Sequence, residues 1–276
     1  MKRTAARADE GTATWLYCVV QAARAPSLAR VPPGGEGMGP PRLLAVGARR
    51  WLVVADAPLA RYGEAAIERG LKDLEWVSRC ALAHESVVEH FLRAEAVLPM
   101  KLFTLFADDA RAIDHVAKRA REIDAICERV AGCVEWGLRV SLDEIAARRR
   151  AGERAAAAAG GAASGTGFLL RKKGQQEATR QLARDALDEA ERIDERLRPL
   201  ARDAHRRPPV AGAIGSRLVL DASYLVEAAS AARFKKEAKA IARALAGEGY
   251  ALALTGPWPP YNFVADAKRP RAKRSR

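Results

Sequence analysis

The side chains available for acid–base, nucleophilic or metal chemistry are four histidines, four cysteines and 34 carboxylates in a chain of 276 residues. His84 and His90 stand six apart on one predicted helix. Six residues turn a helix by roughly 600°, so the pair does not share the i, i+4 face on which two ligands meet a metal. His84-Glu85 lacks the second histidine of an HExxH motif. Cys127 and Cys133 are also six apart, and no CxxC spacing occurs. Like Cys18 and Cys80 they lie in apolar stretches, which reads as buried, reduced thiols. Glu85 and Glu89 share a helix face, but carboxylates at that spacing on an exposed helix are usually solvated. The run from Gly34 to Gly39 is glycine-rich, yet no helix opens after it, so it is not a phosphate cradle. There is no P-loop and no GxSxG. The expectation is a protein that is not an enzyme, has no cofactor or metal and takes no small-molecule substrate.

Two apolar segments and one basic cluster are left. Leu98 to Phe106 carries one charge and a proline. Thr255 to Phe263 combines three prolines with Trp, Tyr and Phe. Prolines stiffen a chain at low entropic cost, and aromatics either staple a segment onto a domain or present a contact surface. Arg171, Lys172 and Lys173 stand near the start of a predicted helix, where the macrodipole favours anions. Cations placed against it suit a partner. Pro257, Trp258, Pro259, Pro260, Tyr261 and Phe263, with Arg171, Lys172 and Lys173, are therefore the candidate partner-contact residues. Stapling and plain solvation are the competing readings.

Around these segments the elements follow from periodicity. Thr14 to Val20 is rich in aromatic and β-branched residues and reads as a buried strand. Pro26 to Pro41 reads as a loop. Arg42–Val46 and Trp51–Ala55 form a hairpin, and a helix runs from about Leu71 to Ala94. Val97–Phe103 is an edge or bulged strand because of Pro99. Asp108 and Asp109 cap a helix over Ala110–Val130, Gly132 stops it, and Val134–Val140 is a strand. Beyond a stretch rich in Ala, Arg and Gly come a long helix from Phe168 to about Asp203, strand character over Ser216–Glu227, a helix over Ala231–Ala246 and a strand from Tyr250. The fold class expected is α+β, in two domains, each a mostly antiparallel sheet with helices on one face. The domains are placed at 12–145 and 168–265, with a linker over 146–167 and a disordered basic tail over 266–276.

The net charge of +13 is unevenly spread. Residues 1–145 hold twenty basic and twenty acidic side chains, residues 146–265 hold 21 and 13, and residues 266–276 hold six and one. That asymmetry keeps a nucleic-acid-binding protein open as an alternative, acting through the basic second half and tail. No zinc-finger spacing or aromatic RNA-binding strand accompanies it. No stretch reads as a transmembrane segment, and the charged first eleven residues carry no secretory signal.

Several pieces, taken in order, carry a family resemblance. They are Leu16-Tyr17-Cys18-Val19-Val20, Asp73-Leu74-Glu75-Trp76-Val77, His84-Glu85-Ser86-Val87-Val88, the run Val97 to Phe106, Gly132 to Val140, Gly167 to Lys173, and Thr255 to Phe263 with its Gly-Pro-Trp-Pro-Pro-Tyr-Asn-Phe. The ordered set resembles the gas vesicle protein family GvpL/GvpF over about residues 15–264. The resemblance implies a two-domain α+β protein, ferredoxin-like in at least one domain. It implies a non-enzymatic accessory role in gas vesicle assembly, cytoplasmic and associated with the vesicles. The implied partners are the small hydrophobic shell protein GvpA and other accessory Gvp proteins. A small-molecule enzyme on a ferredoxin-like scaffold is a further alternative, and it requires a pocket near His84 or Glu135.

Overall fold

The structure is a computed structural model that describes residues 11–159, 167–208 and 215–264; for 154–159 and 167–179 it describes the backbone alone. In chain order the elements are β1 (Thr12–Gln21), β2 (Arg42–Ala45), β3 (Arg50–Pro58), α1 (Leu59–Tyr62), α2 (Glu64–Gly70), α3 (Leu74–Glu89), β4 (Ala96–Pro99), β5 (Leu105–Phe106), α4 (Asp109–Lys118) and α5 (Ala120–Val130). There follow β6 (Cys133–Asp143), α6 (Glu144–Ala159), α7 (Gly167–Leu197), β7 (Asp203–Arg207), β8 (Ser216–Glu227), α8 (Ala231–Leu245), β9 (Tyr250–Trp258) and α9 (Tyr261–Val264). The fold class is the expected one, α+β with two mostly antiparallel sheets and helices.

The first sheet runs β2-β3-β1-β4, with β5 also paired to β1. All eight residues from Ala13 to Val20 are buried, as their aromatic and β-branched composition predicts. The register shifts between Leu16 and Cys18. Trp15 before the shift, Tyr17 within it, and Cys18 and Val20 after it consequently share one buried cluster with Val87, Val88 and Phe91 of α3. A strand buried on both sides needs more than one helical layer. Here α3, α4 and α5 all contribute, with Ala112, Val116, Ile123, Ile126 and Val130 buried on α4 and α5. Asp108 caps α4 by accepting from the Arg111 amide at 2.8 Å, as its position predicts.

The second sheet runs β7-β8-β6-β9. Its chain order, β6, the helical pair α6 and α7, β7, β8, α8, β9, is a split β-α-β arrangement with the first strand inside the sheet. Tyr224 of β8 meets Phe234 of α8 with ring centroids 5.3 Å apart. Its hydroxyl donates to the buried Asp194 carboxylate of α7 at 2.8 Å.

Four expectations are corrected. The described residues divide into two compact units, one of residues 11–134 together with 258–264, the other within Glu135–Pro257, so neither the boundary at 146–167 nor a second domain running past Pro257 holds. The strand expected to close the first sheet is β6, which lies in the second. β4 is contacted by α5 and α9, and β6 gains neighbours on both sides between β8 and β9. The expected linker opens inside the helix Glu144–Ala159, which its Ala- and Arg-rich composition favours. Its glycine-rich remainder, 160–166, and the tail, 266–276, lie outside the described residues. The single helices expected over Leu71–Ala94 and Ala110–Val130 are each shorter or broken: α3 begins after Asp73, which caps it, and α4 hands over to α5 at Arg119. Finally, β7 sits where the end of a long helix was expected. Asp203 to Arg207 has no apolar alternation, and only pairing with Leu225 to Asp221 of β8 makes it a strand.

Candidate functional site

In the first unit an aromatic cluster organises the surface around α3. Trp15 contacts Tyr62 at 5.5 Å and Phe103 at 5.6 Å between centroids, both edge-on. Trp76 lies flat on Phe103, 5.4 Å away at an interplanar angle of 6°. His84 sits inside this cluster. The Trp15 indole donates to its Nδ1 at 3.1 Å, and its Nε2 faces the Met100 carbonyl at 3.2 Å. An indole N–H only donates, so Nδ1 accepts and Nε2 carries the proton. Burial lowers the His84 pKa to about 4 against the pull of the Met100 carbonyl. His84 thus has both nitrogens engaged as a neutral core residue.

The glycine-rich loop expected to be no phosphate cradle covers the other end of the cluster. A Cβ on Gly34 would stand 2.0 Å from the Tyr17 hydroxyl, and one on Gly35 2.6 Å from that of Tyr62. Tyr62 donates to the Glu36 carbonyl at 2.9 Å, and burial first of all raises its pKa to about 12. These glycines admit backbone close to two tyrosine hydroxyls.

The four cysteines are free and buried. Burial pushes the Cys127 thiol up to about 12 and the Cys18 thiol higher still, which holds both protonated and weakly nucleophilic. Among the described residues no group of three or more His, Cys, Asp or Glu converges as a metal site.

The proline-aromatic segment divides into an exposed and a buried part. Pro257 and Trp258 are exposed, Trp258 by 38%. Pro259, Pro260 and Phe263 are buried. α9 packs on β4 and α5, and the Arg129 guanidinium donates to the Phe263 carbonyl. The Tyr261 hydroxyl is buried beside the Glu85 carboxylate of α3; burial and then that charge raise its pKa. Pro259, Pro260 and Phe263 are thereby withdrawn from any partner, because their surface is already spent on the first unit. The Leu98 to Phe106 run is likewise mostly interior: Leu98 and Pro99 are buried, and Leu102, Phe103 and Leu105 pack against the core cluster. Arg171, Lys172 and Lys173 fall in the first turns of α7, where the side chains lie outside the described residues.

Sequence periodicity missed one feature. Leu74 and Leu82 of α3 are 81% and 71% exposed, and Ala81 and Ser78 lie between them on the same side of the helix. Leu71, just before α3, is 58% exposed. Leu71 and Leu74 fit the 3.6-residue apolar period, which alone does not separate an inward from an outward face. The signal for the stripe was the excess of apolar positions over what one buried face of a helix needs. One turn beyond Leu82, on that side, Glu85 meets Tyr261.

With this geometry in hand, known proteins offer a frame. Residues 13–265 match the family described as gas vesicle synthesis protein GvpL/GvpF. The chain is 30% identical over 249 residues to gas vesicle protein L of Streptomyces sp. (strain CB03234), covering 86% of this chain and 89% of that protein. Its fold is similar to the crystal structure of the gas vesicle protein GvpF from Anabaena sp. PCC7120, with a TM-score of 0.65 at 13% identity over 92% of this chain and 96% of the other. GvpF from Microcystis aeruginosa gives a TM-score of 0.64 at 13% identity over 91% and 98%. No helix among the described residues is long and apolar enough to cross a membrane. The match spans both sheets and the returning C-terminal segment, and the chain belongs to the GvpL/GvpF family of gas vesicle synthesis proteins.

Proposed function

We propose that this chain is a non-enzymatic accessory factor of gas vesicle assembly that acts in the cytoplasm and binds the small hydrophobic shell protein, GvpA, before it enters the wall. The observation that carries this reading is the exposed apolar stripe Leu71, Leu74, Ala81 and Leu82, on and just before α3. A subunit destined for a gas-facing wall has apolar surface to cover. A handler for it needs an apolar patch rimmed by charge. Glu75 and Arg79, joined at 2.6 Å, and Lys72 supply that rim. The exposed Trp258 of the same unit is a further contact in this reading, as are Pro257 and the basic cluster Arg171, Lys172 and Lys173 of the second unit. Other accessory Gvp proteins are the remaining class of partner.

The test is a pull-down of the shell protein at low and high salt by the wild-type chain and by Leu74→Glu/Leu82→Glu. Retention at high salt by the wild type, with loss in the variant at an unchanged melting temperature, is the expected result. Equal retention by a folded variant removes the stripe from the interface. Failure of the wild type to retain shell protein at either salt, with nucleic acid co-purifying at low salt, replaces the reading with the nucleic-acid alternative.

A further inference from the structure

In the second unit most of the described arginines outside α8 are answered by a carboxylate. Arg192, Arg196, Arg198, Arg206, Arg207 and Arg217 each lie within 3.1 Å of one. Helix α8 breaks this pattern. It carries five cations, Arg233, Lys235, Lys236, Lys239 and Arg243, against one acid, Glu237. Glu237 is already held by Arg196 at 2.6 Å, and Lys235 lies over the Trp136 ring at 5.6 Å. Arg233, Lys236, Lys239 and Arg243 are exposed, and among the described residues no carboxylate pairs with them. Their spacing of three to four residues puts them on one side of the helix, opposite the buried Phe234, Ala238 and Ile241. Between them stand only the methyl groups of Ala232, Ala240 and Ala244.

We propose that this outer face of α8 is a docking surface for an acidic amphipathic helix of a protein partner. Charge complementarity selects the sign of the partner. The alanines select its shape: small side chains let a second helix approach closely while the long cations reach around it to carboxylates spaced one turn apart. From Arg233 to Arg243 the face is about 15 Å long, roughly three helical turns. Nucleic acid is disfavoured because the face offers no aromatic ring for stacking and no amide or hydroxyl to read a base. A lipid surface is disfavoured because Phe234 and Ile241 are buried in the core and the cationic face itself carries no large apolar side chain. The surface lies in the other unit from the α3 stripe and does not depend on shell-protein binding.

The experiment measures fluorescence anisotropy of a labelled Glu/Ala helical peptide of about 18 residues, with glutamates along one face, against the full chain. A scrambled peptide of the same composition, a 20-nucleotide single strand and a 20-base-pair duplex are measured alongside. The variants are Lys236→Glu/Lys239→Glu/Arg243→Glu, the neutral Lys236→Gln/Lys239→Gln/Arg243→Gln, and a chain ending at Ala265. Expected are binding that weakens with salt, at least about a fivefold preference for the patterned over the scrambled peptide, and roughly a tenfold or greater loss in both substituted variants. The chain ending at Ala265 is expected to bind the patterned peptide as the full chain does. Undiminished peptide binding by a folded substituted variant overturns the proposal, as does loss of binding on removing residues 266–276. Equal affinity for both peptides, or tighter binding of either nucleic acid, overturns it as well.

Discussion

Phe103 adopts a left-handed backbone conformation, with φ at 63°, while its ring is stacked on Trp76 at 5.4 Å and met edge-on by Trp15 at 5.6 Å. A bulky residue pays on the order of 1–2 kcal/mol for that backbone geometry. Two aromatic contacts of this kind offset it. Phe103→Ala keeps the backbone cost and loses the rings, so it is expected to destabilise the protein by about 2–4 kcal/mol. Phe103→Gly removes the cost as well, and is expected to be the milder of the two. Urea unfolding of both variants checks the order. A glycine variant less stable than the alanine variant would show that the backbone is not strained there.

His84 makes stability depend on pH in a defined direction. Its folded pKa is about 4, below the ordinary 6.5 of an unfolded chain. Between those values the unfolded chain binds the extra proton, so stability falls as pH drops from about 6.5 towards 4. Complete passage through that window costs on the order of 3 kcal/mol. Protonation also sets a second N–H against the Trp15 indole N–H, which breaks the bond that positions the ring. Urea midpoints at pH 7 and pH 4.5 are expected to differ more for the wild type than for His84→Gln. Equal differences would place the pH dependence elsewhere.

Tyr224 and Asp194 test the second core. The Asp194 carboxylate is buried and held by the Tyr224 hydroxyl at 2.8 Å and the Arg198 guanidinium at 2.6 Å. Tyr224→Phe removes one donor from a buried charge and is expected to cost about 1–3 kcal/mol. Arg198→Ala leaves that charge without its close counter-ion, and is expected to cost at least as much. Thermal unfolding of the two variants provides the comparison.

The C-terminal segment is expected to behave as a staple of the first unit. Phe263 is buried, and α9 packs on β4 and α5. Phe263→Ala is expected to cost about 3 kcal/mol. It is also expected to lower hydrogen-exchange protection in β4 and α5 before it does so in β8. Uniform loss over both sheets would mean that the two units unfold as one.

Gly34 carries a sharper prediction than most loop positions. A Cβ there would stand 2.0 Å from the Tyr17 hydroxyl, in a loop whose Met38 sulfur already accepts from that hydroxyl at 3.3 Å. Gly34→Ala is expected to destabilise by about 1–3 kcal/mol through overpacking. Gly34→Ala/Tyr17→Phe removes the offending oxygen and is expected to recover part of the loss.

Local chemistry alone determined much of this protein. The aromatic and β-branched run of β1, the aspartate cap of α4 and the amphipathic period of α8 each follow from side chains within one element, and each appears in the structure. The ordered motifs sufficed for the family. Tertiary structure decided what depends on neighbours distant in sequence. β6 pairs between β8 and β9 in the second sheet rather than beside β4, and β7 became a strand only through its register with β8. Pro259, Pro260 and Phe263 of the proline-aromatic segment turned inward, where α9 packs on β4 and α5, while Pro257 and Trp258 stayed exposed. The reverse held for Leu74 and Leu82. Their apolar character is visible in the sequence, but exposure follows from which side of α3 the sheet occupies, and that is set by packing rather than by the helix itself.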